Sequence, residues 1–362
     1  MKWKYLIIFI LLVSIFPLIT YFYFHSRYQK ILVTPNKKAD ISPIPTPTPD
    51  PNRPFSILLL GYAGYGHDGG FLTDSIILAR VNPKIEEIDL ISLPRDLWVK
   101  FPQSVIASHS AKINSAYAVG IDDKRYPHKA IEFTGKAGGG ELLKYLVFEV
   151  TAVKPDYFIA IDFSGFIKAI DRLGGIDVSV PSTFDDEFYP LDIGATDTCG
   201  KNEEEIIALT ATLSGEKLDQ SFTCRYEHLH LEKGIQHLDG TTALKYARSR
   251  HSVSSGGDFN RSERQKTVLE AVKKRIISLN FFNQITPLIN TLSNHLITDI
   301  NLSTMESYLL KSPQYSQFKI NSKAITDKNY LKIGKSSDGQ SILIPKLGEN
   351  NYTDIQNFLR YN

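Results

Sequence analysis

Four arginines, Arg248, Arg250, Arg261 and Arg264, fall within seventeen residues, and Gln265 follows the last of them. They stand in the run Lys245-Tyr-Ala-Arg-Ser-Arg, a Gly/Ser loop over 251–257, and then Asp258-Phe-Asn-Arg-Ser-Glu-Arg-Gln. Asp258 and Glu263 supply too little negative charge to neutralise four guanidinium groups. A guanidinium presents parallel N–H donors that match two oxygens of a phosphate. The spacing therefore points to a polyanionic ligand, a phosphate or pyrophosphate ester. The alternative is a solvated charged helix face, but such a face mixes its signs and lies opposite the apolar stripe.

Asn260 followed by Glu263 resembles a capping box, which predicts a helix from Arg261. Val268, Leu269, Val272 and Ile276 then recur with the period of one buried helix face. Arg261 and Gln265 extend that stripe toward the helix N-terminus, where anions are favoured.

A second polar set lies early in the chain. Phe55–Leu60, Ser75–Val81 and Ile88–Leu93 read as three buried strands separated by short connections. Asp68 lies in the Gly-rich loop after the first strand, Asp74 starts the second, and Arg95 and Asp96 end the third. If the second and third strands are antiparallel neighbours, Asp74 comes close to Arg95. That pair is either a structural ion pair or a site in which Asp74 holds a hard divalent ion and Arg95 holds phosphate. Magnesium takes one or two protein carboxylates, with phosphate oxygens and water completing its octahedron. The Gly-rich loop lacks a Gly-Lys-Ser/Thr ending, which excludes a nucleotide P-loop.

These residues need a scaffold. Lys112–Val119, Glu141–Val150 and Phe163–Leu173 read as helices, the last stopped by Gly174-Gly175. Tyr157–Ile161 and Ile176–Val180 read as strands. The alternation predicts an α/β or α+β class, a mixed sheet with helices on both faces. In the tail, Leu288–Leu296, Ser303–Leu310 and Asp354–Arg360 read as helices and Ser341–Ile344 as a strand.

Tyr5–Phe24 is a run of twenty uncharged residues. As a helix it would span roughly 30 Å, the thickness of a bilayer's hydrocarbon core. No small-x-small cleavage site follows, so an uncleaved anchor is expected. Basic residues flank both ends, so the charge rule alone does not orient it. Ser42–Pro54 carries proline at nearly every second position and reads as a semi-rigid spacer between anchor and body. The formal net charge of +2 makes nucleic acid a disfavoured partner. Cys199 and Cys224 are compatible with one disulfide or with two free thiols. His228, His230 and His237 suggest zinc, but their spacing fits no standard site.

The motifs together resemble the LytR-CpsA-Psr (LCP) family. The resemblance rests on Ser92-Leu-Pro-Arg-Asp, Lys112-Ile-Asn-Ser-Ala-Tyr, Gly174-Gly-Ile-Asp-Val and Leu238-Asp-Gly-Thr-Thr-Ala-Leu-Lys-Tyr-Ala-Arg-Ser-Arg, followed by the Asp258–Gln265 run. It covers roughly Phe55–Ile277, in family order, behind one anchor and one spacer. It implies an α/β/α sandwich with a central mixed sheet behind one transmembrane helix (residues 5–24 of an anchor over 1–30). The linker would then be 31–54, the catalytic domain 55–277, and 278–362 would complete the same domain.

The resemblance also implies a reaction: magnesium-dependent transfer of a glycopolymer from a polyprenyl-pyrophosphate carrier to peptidoglycan, with manganese as the substitute ion. It places the folded part outside the cytoplasmic membrane and the N-terminus inside. By position, Asp74 is a metal-binding acid. Arg95, Lys112, Arg248, Arg250, Arg261 and Gln265 match pyrophosphate contacts, and Arg264 belongs to the same pattern. Arg95, Asp96 and Asp258 are the candidate catalytic groups, the two acids as candidate bases. The sequence departs from the family pattern at Ala63 or its neighbours, where an Asp is usual, and at Leu72, where an Arg is usual. Asp68 is the candidate replacement carboxylate. The carrier lipid needs an apolar tunnel, for which the helices Glu141–Val150 and Phe163–Leu173 are candidates; the same residues equally build an ordinary core. Two other functions remain open: hydrolysis of the lipid pyrophosphate, and binding of lipid-linked glycan without turnover.

Overall fold

The computed structural model describes residues 25–36, 50, 52–67, 69–103, 105, 110–191, 197–249, 252, 258–278, 285–310, 312–315 and 317–361. These form two compact units. One comprises the described residues of Met1–Leu173 and Ile276–Asn362, the other Gly174–Arg275. The expected membrane span, Tyr5–Phe24, lies outside the described residues, and among those described no helix is long and apolar enough to cross a membrane.

In chain order the first unit opens with β1 (Phe55–Tyr62), β2 (Thr73–Asn82), β3 (Glu87–Leu93), β4 (Trp98–Lys100), β5 (Ser110–Lys112) and β6 (Tyr157–Asp162). Helices α1 (Ser115–Ile121) and α2 (Gly138–Thr151) precede β6, and α3 (Phe163–Arg172) follows it. The second unit contains β7 (Ile176–Val180), β8 (Phe184–Pro190), α4 (Glu203–Thr212), α5 (Glu216–Gln220), β9 (Tyr226–Leu231), β10 (Gly234–Leu238) and α6 (Gly240–Arg248). Helix α7 (Asp258–Ser278) leads back to the first unit. There the chain adds α8 (Ile285–Leu292), β11 (Leu296–Thr298), α9 (Leu302–Leu310), α10 (Ser312–Tyr315), β12 (Lys319–Ala324), β13 (Leu331–Lys335), β14 (Ser341–Pro345) and α11 (Thr353–Tyr361).

The first unit is a mixed α/β structure. Its six-stranded sheet runs β11-β6-β1-β2-β3-β12. β1, β2 and β3 are antiparallel neighbours, while β6 joins β1, and β12 joins β3, in parallel. Burial alternates along β1, as a pleat with a two-residue period requires. Leu58, Leu60, Ile76, Leu78, Ile91 and Leu93 pack on one face against Leu142, Leu146 and Val150 of α2 and Ile355 and Leu359 of α11. Each such buried aliphatic chain contributes about 1.5–3 kcal/mol. These α2 residues belong to that apolar cluster. Phe55 points to the opposite face, where its ring stacks on Tyr308 of α9 at 4.3 Å.

Helix α2 starts at Gly138, three residues before the predicted Glu141, because its glycines allow close packing. A Cβ on Gly140 would stand 2.4 Å from the Phe158 ring. Lys112 ends β5 instead of opening a helix; the helix there starts at Ser115. The predicted Leu288–Leu296 helix stops at Leu292, and Leu296 begins β11. Helix α7 begins at Asp258, before the expected Arg261. Strand β12 was not predicted, since Lys-Ile-Asn-Ser-Lys-Ala carries too little apolar alternation to announce an edge strand.

The residues after the expected anchor also depart from the sequence reading. Residues 25–31 are helical and belong to the folded unit, although a free linker was expected from residue 31. Tyr28 is fully buried and its hydroxyl donates to the Ile300 carbonyl at 2.5 Å. Ile31 and Val33 are buried as well, and Val33 N–H donates to the Thr298 carbonyl at 2.8 Å. Three apolar side chains at this spacing suffice to dock a short segment.

In the second unit, Cys199 and Cys224 form a disulfide across a sequence separation of 25, with Cα atoms 5.4 Å apart. Closing a loop of this length removes about 3 kcal/mol of denatured-state entropy. Cys199→Ser with Cys224→Ser is expected to lower unfolding stability by about that amount. Urea titration of the full chain, oxidised and reduced, measures it; equal midpoints for the two states would show that the bond contributes nothing.

Candidate functional site

The antiparallel β2–β3 pair sets the geometry of the first unit's cleft. Ile76 lies across from Leu93, so continuing the register sets Asp74 opposite Arg95. Arg95 Nη1 donates to Asp74 Oδ1 at 2.5 Å, and its Nε stands 3.6 Å from Asp96 Oδ2. Lys112 Nζ donates to Asp96 Oδ1 at 2.8 Å. The four side chains form a line of alternating charge, each between 23% and 35% exposed and so open to a ligand.

The backbone holds this line in place. Thr73 N–H donates to the Asn114 carbonyl at 3.0 Å, and Asn114 N–H donates to the Arg95 carbonyl at 3.3 Å. The Asp96 carbonyl accepts from Leu343 N–H of β14 at 2.9 Å. Trp98 and Lys112 pair across β4 and β5. Four backbone segments thus converge on two acids and two cations, so little ordering entropy remains to be lost on binding.

Around them opens a cleft of about 790 Å³, lined also by Trp98, Asn114 and the β13–β14 turn residues Ser337, Asp338 and Gln340. Ser336 Oγ donates to Asp338 Oδ1, and Gln340 Nε2 donates to Oδ2 at 2.6 Å. Those two hydrogen bonds hold the Asp338 carboxyl below the usual carboxylate range. Sequence reasoning missed this turn. Its Asp-Gly pair signalled a hairpin, but nothing local signalled that a turn so late in the chain walls a cleft built from residues 63–115.

The cleft has a donor set suited to a hard cation only in part. Asp74 commits Oδ1 to Arg95, while among the described residues Oδ2 accepts no hydrogen bond. The described residues of the cleft present no preformed group of three metal ligands. One carboxylate oxygen beside two cations fits a magnesium ion that arrives with an anionic ligand, not a protein-only cage. Asp68 lies outside the described residues.

The arginines of the second unit divide into different roles. Arg248 is the last residue of α6, and its Nη1 donates to the Tyr189 hydroxyl at 3.3 Å. Arg261 is 7% exposed and Gln265 partly buried. Arg250 lies outside the described residues; Asp258 opens α7. Arg264 is 4% exposed, and its guanidinium serves protein carbonyls. Nε donates to the Tyr246 carbonyl at 3.0 Å and Nη2 to the Ser249 carbonyl. Those are carbonyls of the last turn and the C-cap of α6, which an α-helix leaves without intrahelical partners.

Arg264 also lies against the Phe184 and Tyr246 rings, 5.2 and 5.9 Å from their centroids. Burial pushes its pKa down to about 10, leaving it charged at neutral pH. Its contacts are those of a brace on the end of α6, and so on Arg248, rather than of a phosphate grip. The signal was in the sequence: Arg261, Arg264, Val268 and Ala271 follow the helical period, and all four are buried. Asp186 completes the network. It is fully buried on β8 and accepts from Ser249 Oγ and from Phe188 N–H, the latter at 3.1 Å.

Comparison with known proteins bears on these groups. The model of the LytR_cpsA_psr family matches residues 19–356. A Bacillus subtilis protein named polyisoprenyl-teichoic acid–peptidoglycan teichoic acid transferase TagV is 29% identical over 254 residues, 69% of this chain and 51% of that protein. The chain thus spans about half the length of this relative. Its crystal structure superposes with a TM-score of 0.55 at 26% identity, over 86% of this chain and 97% of that one. A Streptococcus agalactiae crystal structure gives a TM-score of 0.56 at 26% identity, over 85% and 87% of the two chains.

Proposed function

The chain belongs to the LytR_cpsA_psr family, and from that premise we propose that it transfers a teichoic-acid-like glycopolymer from a polyprenyl-pyrophosphate carrier to peptidoglycan. The observation that carries this reading is the alternating line Asp74–Arg95–Asp96–Lys112 in the first unit's cleft. The names of the relatives support the teichoic acid and peptidoglycan parts.

In the reaction an acceptor hydroxyl attacks the phosphorus that bears the glycopolymer and releases its proton to solvent. The bond from that phosphorus to the bridging oxygen breaks, and polyprenyl phosphate departs carrying the bridging-oxygen electrons. Negative charge grows on that leaving group. Arg95 and Lys112 stabilise it from fixed positions, which is where most of the rate gain in such chemistry arises. Asp96 contacts both cations, so it serves as their positioning residue rather than as the proton acceptor. Within the second unit, Arg248, Arg250, Arg261 and Gln265 are proposed as anion contacts, with Arg264 as the brace.

Asp74 is the residue that would hold magnesium, with Asp68 as the second candidate. When bound, the ion would offset charge on phosphate oxygens. For the rest of the chain, the proposal keeps an N-terminal membrane anchor with both units outside the cell. The disulfide supports that placement, because such bonds persist in oxidising compartments.

The test uses the full chain in detergent with a synthetic lipid-pyrophosphate-linked polymer and peptidoglycan. Polymer joined to peptidoglycan with release of polyprenyl phosphate is expected, lost with EDTA and restored by Mg²⁺. Free phosphorylated polymer would make it a hydrolase. Tight lipid binding without turnover at any Mg²⁺ level would make it a binder.

A further inference from the structure

Two strands of the second unit carry a cluster that phosphotransfer does not use. His228 and His230 stand two residues apart on β9, so both side chains leave the same face. Asp185 on β8 is the cross-strand partner of His230. Asp185 Oδ1 lies 2.9 Å from His228 Nε2 and 2.6 Å from His230 Nδ1. The three residues can place their ligand atoms within 4.8 Å of one another. His237, grouped with them by sequence, pairs instead with Asp177 at 2.7 Å. Asp185, 43 residues before His228, takes its place.

A second observation points to a metal. The other ring nitrogen of His230, Nε2, lies 3.2 Å from Glu232 Oε1. Thr183 Oγ1 donates to the second oxygen of Glu232 at 3.4 Å. A metal-bound histidine characteristically donates its remaining ring N–H to a carboxylate, which fixes the tautomer and the ring orientation. Here that carboxylate is present and is itself held.

We propose that Asp185, His228 and His230 bind a divalent transition-metal ion, with Zn²⁺ the best match, which clips β8 to β9. Two imidazoles and one carboxylate suit Zn²⁺, with water in the fourth position. Mg²⁺ avoids imidazole, so this site is chemically separate from the one assigned to Asp74. Tetrahedral bonds of about 2.0–2.1 Å place ligand atoms roughly 3.3 Å apart. The present separations of 2.6 and 2.9 Å need less than about 1 Å of opening. The side chains are 40–54% exposed, so the ion enters from solvent without unfolding. The clip sits beside a break in the strand ladder between Asp186 and Tyr189, where cross-strand pairing alone is weakest.

The experiment titrates the full chain, stripped of metal and carrying no histidine tag, with Zn²⁺ and with Co²⁺ as the optical probe. One tightly bound ion is expected, with a rise in thermal midpoint and a tetrahedral Co²⁺ absorption band that excess Mg²⁺ leaves intact. His228→Ala with His230→Ala removes the band. Glu232→Gln, which leaves all three ligands in place, weakens binding by about tenfold. No band with the native chain, or the same band with the double variant, would overturn the proposal. Binding unaffected by Glu232→Gln would remove Glu232 from it.

Discussion

Replacing Arg95 by alanine is expected to lower glycopolymer transfer by about 10²–10³-fold, or ~3–4 kcal/mol of barrier. Two effects combine. The departing phosphate loses a fixed cation, and Asp74 loses the donor on its Oδ1. Arg95→Lys restores charge but not the planar fork that serves Asp74 and phosphate together, so it recovers only part of the rate. The fold should be intact in both variants, because the side chain is 35% exposed and its carbonyl, which accepts from Asn114, is unchanged. Steady-state transfer assays with a parallel thermal melt separate the two contributions. A full transfer rate in Arg95→Ala would remove Arg95 from the reaction.

Arg264→Ala is expected to destabilise the full chain by about 3–5 kcal/mol, the range for breaking a buried charged network by removing one partner. The loss arises on three sides. The Tyr246 and Ser249 carbonyls lose their donor, two rings lose a packed guanidinium, and buried Asp186 loses a nearby cation. Arg264→Lys should fare little better, since one ammonium cannot replace a fork that reaches Tyr246 and Ser249 together. Urea unfolding gives the number. A change below about 1 kcal/mol, the scale of a surface substitution, would show that the brace carries no weight.

The two arginines also show how far the sequence could be read. Strand positions were legible because Leu58-Leu-Leu, Ile76-Ile-Leu and Leu90-Ile are apolar runs bounded by turns. Once they pair antiparallel, arithmetic on the register brings Asp74 to Arg95. Lys112 was assigned to a helix because a three-residue strand has no period to detect. Arg264 resembled its neighbours in type, and only the phase of α7 separates it from an open phosphate contact. The Ser337–Gln340 turn was out of reach, because its place in the cleft depends on pairing between segments more than two hundred residues apart. For the same reason Asp185 was absent from the histidine group: cross-strand neighbours are close in space and distant in sequence.

The burial of Tyr28, Ile31 and Val33 changes what the proline-rich stretch can do. Residues 25–36 and β1 are both fastened to the first unit, so the intervening segment is closed at its two ends. A segment held at both ends by one unit cannot work as a free spacer for that unit. Doubling such a closed segment costs only about 0.6 kcal/mol of closure entropy. Lengthening or shortening it would leave residues 25–36 and β1 docked where they are.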